Sequence, residues 1–89
     1  MLTNLYSAFL VSAQAHPDKT ALFWATHRFS YRHFVRQSAW VSRELRERHG
    51  IQPGDRVAIW MHNRPEFVSA LLGILAAGAV AVPVNNFLK

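Results

Sequence analysis

The sequence predicts an α/β fold, a partial three-layer α/β domain that forms an incomplete part of a larger domain. Three observations lead there. Apolar residues recur with the 3.6-residue period of a helix in two separate stretches, one at the start of the chain and one at its centre. Between residues 56 and 84 a short extended run, an amphipathic run and a second extended run follow one another, the pattern of a βαβ unit with parallel strands. The last of these runs is apolar almost throughout, as strands are when both faces of a parallel sheet are covered. The expected order is an N-terminal helix, a short β-hairpin, a long helix and then the βαβ unit.

In the first helix Leu2, Leu5, Tyr6, Phe9, Leu10 and Ala13 share one face, Thr3 or Asn4 can cap the start, and Pro17-Asp18 closes the end. Residues 20–24 are rich in β-formers, Ala25-Thr26-His27 can turn the chain, and Arg28-Phe29 can return it. The turn lacks the Gly or Asn that most favours a hairpin. Ser30 reads as the N-cap of a helix over residues 31–48, whose inward stripe is Tyr31, Phe34, Val35, Ser38, Val41 and Leu45. Arg43–Glu47 and Glu44–Arg48 are i,i+4 pairs on its outer side. Gly50 stands where a left-handed residue ends a helix, with Ile51 folding back over the last turn. Pro53-Gly54 reads as the centre of a type II turn.

The βαβ unit comprises a strand over residues 56–61, a helix over 64–77 and a strand over 79–84. Asn63 and Glu66 are spaced as N-cap and N3 of a capping box, and Phe67, Val68, Leu71, Leu72, Ile74 and Leu75 give the helix a broad apolar face. Two or three parallel strands do not close a fold, which is why the chain reads as the front of a larger domain. Trp24 and Trp60 fall on the expected strands and are assigned to the core, whereas Trp40, between the outward positions Arg36 and Glu44, is read as covering another part of a larger protein.

Composition excludes much. With 89 residues the chain holds one small domain at most, and with 51% apolar and 17% charged residues it is too apolar for a disordered tail. The absence of cysteine removes disulfides, thiolate-bound metals and thiol nucleophiles. The net charge of +5 permits an acidic partner, but the eight arginines are spread over several elements without interleaved aromatics, so nucleic acid is not expected as a partner. Residues 67–84 carry no charge, yet Ala77-Gly78 and the β-branched run beyond break any single helix, so no transmembrane segment is expected. No secretory leader is recognisable, and a cytoplasmic location is expected.

No phosphate-loop, dinucleotide or nucleophile-elbow motif is present. His16, His27, His33, His49 and His62 lack the spacing of metal ligands, and Asp18, Asp55, Glu44, Glu47 and Glu66 do not cluster with them. Asp55 reads as a turn carboxylate and Glu66 as part of the cap. Ser30 and Ser38 have no partnered base. No residue is therefore assigned a catalytic, cofactor-binding or metal-binding role.

From Gly50 onward, the ordered strings Gly50-Ile51-Gln52-Pro53-Gly54-Asp55-Arg56-Val57-Ala58-Ile59, Asn63-Arg64-Pro65-Glu66-Phe67, Leu71-Leu72-Gly73-Ile74-Leu75-Ala76-Ala77-Gly78-Ala79-Val80 and Val82-Pro83-Val84-Asn85 resemble the adenylate-forming superfamily, the AMP-dependent acyl-CoA synthetases and ligases. His16-Pro17-Asp18-Lys19-Thr20-Ala21-Leu22 resembles that family's opening, and Phe29-Ser30-Tyr31 its strand-to-helix entry. The sequence departs from the pattern at His33, commonly Glu, and at Asn86, commonly Pro; the first departure removes the capping box after Ser30.

The resemblance implies activation of a carboxylic acid by ATP and magnesium through an acyl-adenylate, followed by transfer to a thiol, usually that of coenzyme A. It points most to the long-chain fatty-acid CoA ligase branch, and hence to fatty acid metabolism. On this reading residues 1–89 are the N-terminal segment of the large N-terminal domain of an acyl-CoA synthetase-like enzyme, with no complete catalytic domain. They are noncatalytic alone, and the phosphate loop, nucleotide motifs and mobile lysine lie elsewhere in the parent polypeptide. ATP, magnesium and coenzyme A are implied for that parent, not for these residues. The partners implied are the remainder of the parent and, through an exposed sheet edge, a homo-oligomer. The alternative is a small noncatalytic α/β interaction or dimerisation module.

Overall fold

The computed structural model describes residues 5–62 and 64–84. The order of elements is α1 (Leu5–Ala15), β1 (Thr20–Trp24), β2 (His27–Ser30), α2 (Tyr31–His49), β3 (Arg56–Ile59), α3 (Pro65–Ala76) and β4 (Val80–Pro83). This is the expected partial α/β fold, with an antiparallel hairpin of β1 and β2 and a parallel pair of β3 and β4 joined through α3.

Local chemistry sets most of the boundaries. In the hairpin Trp24 pairs with His27, so Ala25 and Thr26 form the turn, and Ala25 takes a φ of 54°. A non-glycine residue in that left-handed region costs about 1–2 kcal/mol. At the start of α2 the Ser30 hydroxyl accepts the His33 backbone N–H at 3.1 Å, so the cap survives without a glutamate at position 33. Gly50 ends the helix at a φ of 65°, and the Ile51 N–H returns to the Leu45 carbonyl at 3.0 Å. Of the two outer pairs, Glu44–Arg48 forms at 3.4 Å, whereas Arg43–Glu47 is not an ion pair among the described residues.

The next turn is doubly closed. The Asp55 N–H donates to the Gln52 carbonyl at 3.0 Å, and the Asp55 carboxylate accepts the Gln52 N–H at 2.8 Å, while Gly54 takes a φ of 91°. At the far end of α3 the Gly78 N–H meets the Leu75 carbonyl at 3.0 Å and the Ala79 N–H meets the Ile74 carbonyl at 3.1 Å. With Gly78 at a φ of 78°, these bonds make a Schellman stop that delivers the chain into β4.

The start of α3 differs from the expected capping box. Its N-cap is Arg64, without a side-chain cap bond, which places Glu66 at N2 rather than N3. Proline decides this: Pro65 lacks an N–H and has a fixed φ, so it fits the first helical position and moves the cap to the residue before it. Asn63 lies outside the described residues, as do Leu2, Thr3, Asn4 and residues 85–89.

Parallel pairing sets Arg56 beside Val80, Val57 beside Ala81, Ala58 beside Val82 and Ile59 beside Pro83. Alternation then gives the pair two unlike faces. On one, Ile59 and Ala79 are buried with Ile74 of α3, and Val57, Ala81, Leu45, Ile51 and Phe67 pack around them. On the other, Ala58, Val80 and Val82 are exposed, and Trp60 and Val84 continue the face just beyond the strands. The expectation of a strand covered on both sides is thus met on one side only. Trp60, expected in the core, is 74% exposed, because β3 stops at Ile59 and no described residue layers over that side. Trp24, also expected in the core, is 40% exposed at the hairpin tip.

The helices meet along small residues. Ser38 and Ser42 of α2 and Ser69 and Gly73 of α3 are buried. The Ser38 hydroxyl satisfies itself on the Val35 carbonyl at 3.1 Å, and Ser42 accepts from Arg46 at 3.3 Å, so neither is a buried polar orphan. A methyl group at Gly73 would overlap Cβ and Cγ1 of Val41 and stand 3.1 Å from the Ser38 carbonyl oxygen. Gly73→Ala is therefore expected to destabilise the fold by about 1–3 kcal/mol through overpacking. Alanine's helix propensity alone would instead favour the variant by about 1 kcal/mol. Denaturant titration of the two proteins distinguishes these signs, and a more stable variant would show that the helices do not need this contact.

Candidate functional site

The residues with chemical potential are dispersed over the surface rather than gathered. His33 packs against Phe29 and Phe34 with centroid distances of 5.1 and 5.0 Å, and His27 stacks 6.4 Å from Phe29, so these two imidazoles extend an aromatic cluster. His16 follows α1, and its backbone N–H donates to the Ser12 carbonyl at 2.9 Å. His49 ends α2, and His62 lies between β3 and α3. Among the described residues no three His, Cys, Asp or Glu side chains come together as a metal site.

The carboxylates are engaged locally. Asp18 pairs with Arg32 at 3.0 Å, tying the segment after α1 to the first turn of α2. The Tyr31 N–H to the Lys19 carbonyl at 3.0 Å and the Arg32 N–H to the Pro17 carbonyl at 2.8 Å reinforce the same junction. Sequence reading missed this pair, since a separation of 14 positions leaves no local signal. Glu44 pairs with Arg48, and Asp55 serves its turn as expected. Glu66 sits in the first turn of α3, where a carboxylate complements the helix dipole.

Recesses among the described residues include an apolar one and a more open one. The apolar one, of about 260 Å³, is lined by Leu5, Phe9, Leu22, Tyr31, Phe34 and Leu72, where α1, the hairpin and the two long helices converge. The more open one, of about 350 Å³, lies between the hairpin tip and the start of α3, with Trp24, His27, Phe29, Arg64, Pro65 and Glu66 around it. Neither brings together the converging amides, cations or carboxylates that a triphosphate and its metal require. Among the described residues no helix is long and apolar enough to cross a membrane.

The origin of this scaffold is settled by its likeness to known proteins. Residues 9–89 match the family of AMP-binding enzymes. The chain belongs to the AMP-binding enzyme family. Its relatives within that family include bacitracin synthase 3 of Bacillus licheniformis, 38% identical over 77 residues that make up 86% of this chain and 1% of the relative. Phenyloxazoline synthase MbtB of Mycobacterium tuberculosis is 39% identical over 81 residues, 91% of this chain and 6% of that protein. Among solved structures, the N-terminal subdomain of Klebsiella oxytoca NpsA in complex with 3-hydroxyanthranilyl-AMSN superposes with a TM-score of 0.89 at 30% identity, over 99% of this chain and 22% of that one. The chain thus spans a small part of the length of the AMP-binding proteins it matches.

These relatives correct the expected branch. The similar proteins are peptide synthetases and related synthases, not long-chain fatty-acid CoA ligases, so acyl-CoA synthesis and fatty acid metabolism are set aside. The cause lies in which residues carried the resemblance. Over residues 50–62 and 64–84 these strings build turns, helix stops and a βαβ scaffold.

Proposed function

We propose that residues 1–89 are the opening scaffold of an adenylating domain of nonribosomal-peptide-synthetase type, noncatalytic by themselves. The parent polypeptide would join an amino or aryl carboxylic acid to AMP from ATP, releasing pyrophosphate, and pass the acyl group to a carrier-protein thiol in place of coenzyme A. The observation that carries this reading is the superposition of 99% of this chain on the NpsA N-terminal subdomain, which in that structure is in complex with 3-hydroxyanthranilyl-AMSN. NpsA-ThdA, an artificially fused adenylation–PCP di-domain from Klebsiella oxytoca that is similar over 96% of this chain, is compatible with a carrier thiol as acceptor.

Magnesium and the triphosphate do not fit the residues described: Asp18, Glu44 and Asp55 are engaged elsewhere, and among the described residues no three His, Cys, Asp or Glu come together to hold a metal ion. What this chain contributes is position. Its caps and turns fix β3 and β4 side by side, so that the edges of the pair can take further strands and its open face a covering layer.

Pyrophosphate exchange checks the proposed activity. The full-length parent is expected to exchange pyrophosphate into ATP when given an amino or aryl acid, and residues 1–89 alone are expected to give no exchange above a blank. Coenzyme A thioester formation from a fatty acid by the parent would contradict the reading. In isolation the open face of β3 and β4 should also drive copies together, because uncovered Val80, Val82 and Trp60 leave apolar area in water at about 25 cal/mol per Å². Sedimentation of residues 1–89 is expected to show association that Val82→Lys relieves. A sharp monomer would contradict the inference that this face needs cover.

A further inference from the structure

We draw no further inference here: the strongest candidate, the apolar recess where α1, the hairpin, α2 and α3 converge around Phe9, Tyr31, Phe34 and Leu72, carries nothing because the chain spans a small part of its relatives and nothing in the structure shows what covers the recess.

Discussion

The close contact of α2 with α3 is the constraint on which the rest depends. Without a side chain at Gly73, Val41 and the Ser38 carbonyl can lie directly against α3, and the two helices form one slab. That slab buries Ile74, Ile59 and Ala79 on its sheet side. It also carries Phe34 into the aromatic cluster shared with the hairpin. Moving the helices apart would open both regions together, because interiors packed at crystal-like density have no slack to absorb the shift. Ser38 and Ser42 are tolerated in the contact because their hydroxyls find partners on their own helix.

Much of this was legible in the sequence because it is decided locally. Ser30, Gly50, Gly54 and Gly78 each stand at a position where one residue type solves one backbone problem, an orphan N–H in the first case and a positive φ in the others. The amphipathic stripe of α2 was readable for the same reason, although Ser42 was not, since a serine facing a neighbouring helix looks like a solvent position until the close packing is known. Where two local rules competed, the stronger covalent constraint prevailed. Asn63 and Glu66 were spaced as a capping box, but the fixed geometry of Pro65 put the cap on Arg64.

What failed to be legible depends on material outside the local pattern. Trp24 and Trp60 are strand-associated aromatics, and alternation alone assigns them to an interior. Trp24 is exposed because it stands at the hairpin tip, and Trp60 because no described residue layers over its side of β3 and β4, properties of the packing and not of the strand pattern. The branch of the AMP-binding family was misjudged for a parallel reason. The strings that carried the resemblance form turns and helix stops, and such backbone solutions say nothing of which acid is bound. The candidate site was therefore readable only as an absence of clustered chemistry, and the dispersed pairs Asp18–Arg32 and Glu44–Arg48 fit a supporting role.

On the proposed function, the outer face of β3 and β4 is an internal surface of a larger adenylating domain. Iodide quenching of Trp60 as the only indole, in a protein carrying Trp24→Phe and Trp40→Phe with any other tryptophan likewise replaced, tests this most directly. In residues 1–89 carrying Val82→Lys, which keeps copies apart, Trp60 should be freely quenched, in keeping with its 74% exposure, and in the full-length parent it should be shielded. Equal quenching in the two would contradict the claim that the rest of the polypeptide is built on this face.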